Sequence, residues 1–419
     1  MLTLLFTLQA ALPAAPQDPL DRPNVLLIVS DDQGYGDFGF MGSAEVRTPH
    51  LDQLAREGLV FPHGYVPTAL CRPSLATLIT GLYPHQHKIT GNDPPAGVDR
   101  ARMLAHIEAV DTVPKLLLPL GYRSLQTGKW WEGNCLCGGF TEGMTHGDPA
   151  RGGRHGDVGL EIGRKTLQPA LDFVDACIAD EAPFFLWYAP FLPHEPHTPP
   201  ARLLEAYATP EVPTPIAKYR AMCTWFDETC GALLAHLDAR GIADDTLVVL
   251  VVDNGWIQRP GGAGFAPRSK RSAYEGGVRT PIVLRWPGRI APQRCDIPVS
   301  SVDLPATILA ACGVAIPAAW PGVDLRGDLS QRGPVFGAAF THDVVELDQP
   351  VKSMLSRWVL RDPFKLIVSA DPGAPCELYN VRADPAEESP LDDQDTVRAL
   401  RAELDRWWPG ANLGQQNQR

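Results

Sequence analysis

The sequence has no long apolar segment and is short of positive charge. None of its apolar runs approaches the ~18–20 residues that a membrane-spanning helix requires, which excludes an integral membrane protein built on such helices. The 37 basic and 49 acidic side chains give a formal net charge of −12. Since nucleic acids and anionic membrane surfaces bind basic proteins, this balance argues against both as main partners.

Lysine is also scarce. Eight of the 37 basic residues are lysines and the other 29 are arginines. In a chain that mostly uses arginine, a lysine indicates a position that needs a compact point charge or a proton donor. Lys129 and Lys270 are therefore candidates for a functional site. The alternative is that both are ordinary solvated surface lysines.

The composition is that of a folded protein with many loops. Of the 419 residues 44% are apolar, which is typical of a globular chain with one large or two modest domains. The 41 prolines and 38 glycines predict ordered loops between short elements rather than a helix bundle.

The amino-terminal segment resembles a secretory signal. Residues 2–15 are mostly apolar and end in small residues, although no Lys or Arg precedes Arg22. We therefore predict a signal peptide at residues 1–17 and a periplasmic or extracellular location. The alternative is a misassigned start or a loose tail. The nine cysteines do not decide the compartment, and no disulfide pairing can be read from their spacing.

The pattern of apolar residues predicts an α/β fold. Five buried strands are expected at Asn24–Ser30, Tyr122–Thr127, Phe184–Ala189, Leu247–Val252 and Ile282–Trp286. Helical patterns separate them, which favours a large, doubly wound, mostly parallel sheet flanked by helices at residues 22–330. A hairpin pattern and a terminal helical pattern predict a small antiparallel α+β subdomain at residues 331–408. A polar tail is predicted at residues 409–419.

Polar side chains follow four of the five predicted strands, in the third case after a proline-rich turn. They are Asp31-Asp32, Lys129, the run His194-Glu-Pro-His197, and Asp253-Asn254. Because the carboxyl ends of parallel strands meet at one edge of a sheet, where ligands bind, these side chains are expected to converge. Carboxylate and amide oxygens suit a hard cation such as Ca²⁺ or Mg²⁺. The alternative is that the aspartates cap turns and that His194 is an ordinary loop histidine.

Cys71 stands at the start of a predicted helix, in Cys71-Arg-Pro-Ser74. Free backbone amides and the helix dipole at such a position attract anions and lower the pKa of a thiol, so Cys71 is a candidate nucleophile. A structural cysteine before a proline that opens a helix explains the feature equally well.

Together these motifs resemble the type I sulfatases, the formylglycine-dependent, arylsulfatase-like family of the alkaline phosphatase superfamily. Asn24-Val-Leu-Leu-Ile-Val-Ser-Asp-Asp is similar to the opening strand and metal-binding pair of that family. Thr68-Ala-Leu-Cys-Arg-Pro-Ser is similar to its maturation signature. The remaining motifs follow in the family's order: Thr127-Gly-Lys-Trp, Pro193-His-Glu-Pro-His, Asp253-Asn-Gly, Lys270 and Glu377-Leu-Tyr-Asn-Val. The resemblance extends over residues 23–390.

The resemblance implies a role for each residue. A maturation enzyme would oxidise Cys71 to formylglycine, whose hydrate is the nucleophile. A Ca²⁺-type ion would be held by residue 71 and by Asp31, Asp32, Asp253 and Asn254. Lys129 and Lys270 would hold sulfate oxygens, and His194 would protonate the leaving alcohol. The expected substrate is a small-molecule or glycan sulfate ester.

Two positions depart from the family pattern. Leu75 stands where the signature Cys-x-Pro-Ser-Arg has its arginine. Trp131 stands where the family's histidine would serve as the base that acts on the hydrate, and an indole cannot accept a proton. Arg72 and His197 are the candidates to replace the missing groups.

Three functions remain open at this point. The first is an exported sulfuric-ester hydrolase. The second is a phosphodiester or phosphonate-ester hydrolase on the same scaffold, because sulfate and phosphate groups have similar shapes. The third is a sulfatase-like binding protein that has lost turnover, which the departures at Leu75 and Trp131 would favour. The retained metal-type ligands, lysines and His194 favour an active enzyme.

Overall fold

A computed structural model describes residues 22–146 and 157–411. The predicted signal peptide at residues 1–17 lies outside this part of the chain. Within the described residues, no helix combines the length and the apolar character that crossing a membrane requires.

The main sheet confirms the prediction of a large, mostly parallel sheet. In the described residues it contains nine strands: β1 Asn24–Ser30, β2 Leu59–Tyr65, β3 Arg123–Gly128, β4 Glu142–Gly143, β5 Phe184–Ala189, β6 Thr246–Val252, β7 Arg279–Arg285, β8 Gln293–Arg294 and β9 Val299–Ser300. The order is β4-β3-β5-β1-β6-β7-β2-β8, with β9 also pairing with β2. Only β7 runs antiparallel to its neighbours β6 and β2 among these described strands.

Helices cover both faces of the sheet, as a doubly wound fold requires. The α-helices of the described residues, including α11 of the carboxyl-terminal part, are α1 Pro49–Glu57, α2 Cys71–Thr80, α3 Pro84–His87, α4 Ala101–Glu108, α5 Val113–Leu117, α6 Gln168–Ala179, α7 Ala201–Glu205, α8 Thr214–Ala239, α9 Glu275–Val278, α10 Asp303–Ala311 and α11 Gln394–Trp407. Alternate residues of β1 face opposite sides. Val25 and Leu27 pack with α2, α4, α5 and α10, whereas Leu26 and Ile28 pack with α1, α6 and α8.

Strand β2 was missing from the sequence prediction. Pro62 and Gly64 interrupt its apolar pattern, and the register shifts between Phe61 and Gly64 in the structure. Such residues weaken the sequence signal of a strand, although the flanking residues are buried. The omission matters because β2 leads to α2, at whose start Cys71 lies.

The carboxyl-terminal subdomain is a second sheet packed on the first domain. In the described residues it has four antiparallel strands: β10 Val335–Phe340, β11 Met354–Arg361, β12 Phe364–Ser369 and β13 Glu377–Asn380. Helix α11 packs on β11 and β12. At the start of the predicted polar tail, Pro409–Ala411 forms a short 3-10 helix whose Ala411 is buried beside Phe340 and Met354. Residues 412–419 of the tail lie outside the described part of the chain.

A buried ion cluster joins the two parts of the protein. Lys365 of β12 donates hydrogen bonds to the Glu275 carboxylate at 3.0 Å and lies 3.1 Å from the Glu387 carboxylate. The second carboxylate oxygen of Glu387 accepts the backbone N–H of Glu275 at 2.6 Å, and Tyr65 donates to Glu275 at 3.0 Å. Lys365 is completely buried, so its charge stabilises the subdomain contact only while both carboxylates face it.

We predict that Lys365→Met lowers the free energy of unfolding by about 3–5 kcal/mol, because the buried Glu387 carboxylate loses its cation and Glu275 keeps only Arg279, 3.7 Å away. Chemical denaturation monitored by tryptophan fluorescence measures the change. The control is Lys352→Met, since Lys352 is exposed on the same subdomain and its loss should change the free energy by less than about 0.5 kcal/mol. Equal stabilities for the two variants would contradict the role of the cluster.

Candidate active site

Six segments meet at one edge of the main sheet. Strands β1, β3, β5 and β6 end there, and each is followed by polar residues that the sequence singled out. Strand β7 lies between β6 and β2 and is antiparallel to both, so β2 runs in the same direction as β6. The carboxyl end of β2 therefore brings Cys71 to the same edge. Because β7 runs in the opposite direction, its amino end lies at this edge, and the loop that precedes β7 places Lys270 there.

Asp31 and Asp253 lie side by side because they follow adjacent strands. Ser30 of β1 pairs with Val252 of β6, and the backbone N–H of Asp253 donates to the Ser30 carbonyl at 2.9 Å. Asp253 Oδ1 accepts the backbone N–H groups of Asp32 at 3.0 Å and of Asn254 at 2.7 Å. The Asn254 amide donates to Asp32 Oδ1 at 2.6 Å. The oxygen-rich set expected from the sequence is therefore one buried cluster.

Two lysines, Lys129 buried and Lys270 partly buried, lie against these carboxylates. Lys129 donates to Asp31 at 2.6 Å, and its ammonium group is 3.6 Å from Asp253. Lys270 donates to both oxygens of Asp32, at 2.6 and 2.7 Å. Burial alone would lower the pKa of Lys270, yet Asp32 holds that pKa above its ordinary value. Both lysines are thus cationic groups of the site and not solvated surface residues.

The Cys71 thiol lies inside this cluster, at the start of α2. Its sulfur is 3.1 Å from Lys270 Nζ and 3.5 Å from Asn254 Oδ1. Burial raises the pKa of the thiol to about 12, although Lys129 and Lys270 oppose the rise. The unmodified side chain is therefore a neutral thiol near neutral pH, in contrast to the lowered pKa that its place at a helix start suggested.

His194 completes the site from the end of β5. Its Nδ1–H donates to the Glu195 carbonyl at 2.6 Å, which leaves Nε2 3.3 Å from Asp32. The imidazole stacks on Phe191, with ring centres 4.1 Å apart. Burial lowers the pKa of His194 well below its ordinary value, and Asp32 opposes this shift. Nε2 is the nitrogen that faces the Asp32 carboxylate.

The residues fit a divalent cation. Three carboxylates face two ammonium groups, which leaves one negative charge in surplus. Asp31 Oδ2 and Asp253 Oδ2 are buried and make no hydrogen bond with the described residues. Burial raises the pKa of Asp31 well above its ordinary value, and the Asp253 and Asp32 carboxylates add to this rise. A hard cation would satisfy both oxygens and remove the surplus charge.

A potential ligand set also emerges from distances alone. Ligand atoms of Asp31, Asp32, Cys71 and His194 all lie within 4.8 Å of one another. The set includes His194, which the sequence assigned to proton transfer. Its Nδ1 is engaged with a backbone carbonyl, so only Nε2 faces this group of atoms.

The side chains of the two candidate replacement residues do not reach the Cys71 sulfur. Among the described residues, this sulfur lies within hydrogen-bond distance of Lys270 Nζ and Asn254 Oδ1 only. The Arg72 guanidinium is buried and forms two hydrogen bonds, each 2.6 Å long, with the Glu132 carboxylate. The His197 ring lies beside Tyr219 and Trp256, with ring centres 5.5 and 6.3 Å away.

Both departures from the family pattern are buried side chains without a proton acceptor. Leu75 is buried in the core cluster that covers one face of the sheet, so α2 uses this position for packing. The Trp131 ring is buried, and its centre is 6.0 Å from Lys129 Nζ. Trp131 therefore forms part of the aromatic wall around that lysine and offers no proton acceptor.

A groove of about 520 Å³ adjoins the site. His197 and Lys218 line it together with Pro196, Pro215, Ala263 and Glu195. The segment from His194, beside Asp32, to His197 connects the carboxylate cluster with this groove. Glu195 accepts the backbone N–H of Gly264 at 2.6 Å, which ties the loop on the opposite wall to the same segment.

Sequence reasoning missed Glu132 and Asn92, which contact the residue next to Cys71. Glu132 follows Lys129 closely in the chain, but an isolated glutamate carries no signal of its partner. Asn92 lies in a loop between two short helices and resembles a turn residue. Only the folded chain brings both to the start of α2.

Family models and curated relatives match most of the chain. The family described as Sulfatase matches residues 23–314, and the family described as N-sulphoglucosamine sulphohydrolase, C-terminal, matches residues 265–408. Arylsulfatase A of Homo sapiens is 31% identical over 360 residues, which cover 75% of this chain and 68% of that protein. N-acetylgalactosamine-6-sulfatase of Canis lupus familiaris is 31% identical over 388 residues, which cover 80% of this chain and 71% of the relative.

The fold agrees as well. The crystal structure of Ps i-CgsB superposes with a TM-score of 0.77 and 25% sequence identity, and the match covers 92% of each chain. The family match extends over most of the α/β domain, which carries all the site residues described above. The chain therefore belongs to the sulfatase family and is a sulfatase of the type I group in the alkaline phosphatase superfamily.

Proposed function

We propose that this sulfatase hydrolyses a glycan sulfate ester with formylglycine at residue 71 and a Ca²⁺-type ion held by Asp31, Asp32, Asp253 and Asn254. The observation that carries the proposal is the position of the Cys71 side chain. Its sulfur lies between the Lys270 ammonium and the Asn254 amide oxygen, within the buried carboxylate cluster. A nucleophile at this atom position would be next to the cation ligands and to a group that binds anions.

Formylglycine, once formed by a maturation enzyme, would supply one hydrate hydroxyl as the nucleophile towards sulfur and a second hydroxyl whose deprotonation lets the aldehyde re-form as sulfate leaves. The chain's own residues orient the substrate. Lys129 and Lys270 approach the cluster from two different loops, so their ammonium groups would hold sulfate oxygens from two sides. Fixed positive groups of this kind stabilise the charge that develops in the transition state.

The charge of the site favours a monoanionic substrate. The surplus of one negative charge becomes one positive charge when a divalent cation binds, and a sulfate monoester carries one negative charge. A dianionic phosphate monoester would leave a negative surplus. A phosphodiester is also a monoanion, so charge alone does not separate it from a sulfate ester.

His194 is placed to assist the departure of the alcohol. Its Nδ1–H is fixed on the Glu195 carbonyl, so the ring cannot turn without losing that hydrogen bond. Nε2 is then the position from which the imidazolium form, which the nearby Asp32 carboxylate favours, would deliver a proton to the leaving oxygen. Lys270, which lies 3.1 Å from the Cys71 sulfur, would help to neutralise the developing alkoxide.

The groove supports a sugar as the leaving group. Its walls combine apolar surfaces at Pro196, Pro215 and Ala263 with donors and acceptors at His197 and Lys218. Sugars offer matching apolar faces and hydroxyl groups. One relative is named for a sugar sulfate, N-acetylgalactosamine 6-sulfate. An exported enzyme with access to extracellular glycans is consistent with the signal predicted at residues 1–17.

The first prediction concerns residue 71. Protein from the native host should carry an aldehyde in the peptide that contains residue 71, as mass spectrometry would reveal, and Cys71→Ala should abolish aryl sulfate hydrolysis. Cys312→Ala is the control, because Cys312 is also buried and free but packs in the core. Active native protein with only unmodified Cys71 would rule out formylglycine. Faster turnover of a phosphodiester than of an aryl sulfate would favour the second hydrolase function.

The second prediction concerns the cation. In the wild type, Ca²⁺ at about 100 times its Kd should add about 2.7 kcal/mol to the free energy of unfolding. Asp253→Asn retains an oxygen for the two backbone N–H groups but removes one charge, so this Ca²⁺-dependent gain should be largely lost. Thermal unfolding with Ca²⁺ and with a chelator measures the gain. Asp175→Asn, on the surface beside Arg240, is the control and should keep it.

The third prediction concerns the groove. Ala263→Trp should lower kcat/KM for a sulfated oligosaccharide substrate by about tenfold or more, because the indole fills the space of the leaving sugar. Turnover of a small aryl sulfate should remain close to that of the wild type. The control is Ala402→Trp, at an exposed position of α11. Equal losses for both substrates would show that the groove does not bind the leaving group.

A further inference from the structure

The start of α2 lacks the usual means of fixing a helix end. Leu70, at the N-cap position, makes no side-chain hydrogen bond, and the first turn contains no acidic residue. Pro73 has no backbone N–H to donate. A helix end without a side-chain cap tends to fray. This end nevertheless carries residue 71, the proposed nucleophile, whose position must be fixed.

Arg72 fixes this end instead. Its backbone N–H donates to the Asn92 side-chain oxygen at 3.1 Å, and one guanidinium nitrogen donates to the Asn92 carbonyl at 3.1 Å. The other two nitrogens donate to both oxygens of Glu132, each at 2.6 Å. Arg72 is completely buried and Glu132 is 3% exposed, so water does not weaken the pair.

Glu132 belongs to a segment that is itself anchored. Lys129, in the same segment, donates its backbone N–H to the Ala189 carbonyl of β5 at 2.6 Å. Trp187 of β5 donates its indole N–H to the Lys129 carbonyl at 3.3 Å. The loop with Lys129 and Glu132 is therefore held by the sheet, and the ion pair connects the start of α2 to it.

We propose that Arg72 and Glu132 are positioning residues, which set the place of residue 71 relative to Lys129. This inference rests on the proposed function, because it assumes that residue 71 reacts with a group held by Lys129. The bidentate pair fixes both distance and orientation, which a single contact would not do. Leu75, buried in the core one turn later, has no polar group that shares this task.

The expected effect follows from the sensitivity of catalysis to alignment. A displacement of about 1 Å between reacting groups can lower the rate by about 100-fold. Loss of the pair should therefore lower kcat more than it raises KM. The thermal midpoint measures stability, and the turnover per formylglycine-containing molecule measures alignment of the reacting groups. A positioning role predicts a change in turnover without a change in the thermal midpoint.

The test uses the double variant Arg72→Met/Glu132→Met, which removes both charges and leaves no unpaired buried ion. Replacement of a buried ion pair by apolar residues often preserves stability, so the thermal midpoint should stay near that of the wild type. We expect kcat for an aryl sulfate, normalised to the formylglycine content at residue 71, to fall by about tenfold or more. The control is Arg357→Met/Asp405→Met, a pair in the carboxyl-terminal subdomain.

Arg72→Lys provides a second test if the double variant does not fold. It keeps the charge but not the two-pronged hydrogen bonding, so kcat should fall while the protein remains folded. Wild-type kcat per formylglycine in either folded variant would overturn the proposal. A loss confined to formylglycine content would overturn it too, because the pair would then serve maturation. A wild-type protein that does not hydrolyse sulfate esters would instead refute the proposed function.

Discussion

The structure of the site depends on an unequal balance of buried charges. Asp31, Asp32 and Asp253 are held together at the carboxyl edge of the sheet, and Lys129 and Lys270 neutralise only part of their charge. Bringing these groups out of water is costly, and the residual negative charge is tolerable only with a cation or with raised carboxyl pKa values. The same imbalance supports both the binding of a divalent ion and the choice of a monoanionic substrate.

The rest of the fold holds these charges in place. Continuous apolar strands, covered by helices on both faces, supply the packing that keeps β1 and β6 adjacent. A second buried ion cluster, around Lys365, connects the carboxyl-terminal sheet to Glu275, shortly after Lys270. The Arg72–Glu132 pair connects the start of α2 to the loop after β3. Each of these ion pairs joins segments that are distant in the sequence.

Predictions from the sequence were most accurate where local pattern was strong. The predicted first and last residues of β1 and β5 agree with the structure, and β6 begins one residue earlier than predicted. These predictions were accurate because uninterrupted apolar runs define buried strands. Strand β2 was missed because Pro62 and Gly64 interrupt its pattern. The antiparallel direction of β7 also has no local signature, since direction depends on the neighbours with which a strand pairs. That direction is what places Lys270 beside Cys71.

The sequence by itself determined the α/β class, the polar residues that follow β1, β3, β5 and β6, and the resemblance to sulfatases through Cys71 and its surrounding motif. Tertiary structure alone decided which side chains meet. It directed Arg72 towards Glu132, His197 into the groove and Glu387 towards Lys365. The physical reason is that strand order and ion pairing depend on packing between segments that are distant in the sequence. The residues around one member of an ion pair do not indicate which residue is its partner.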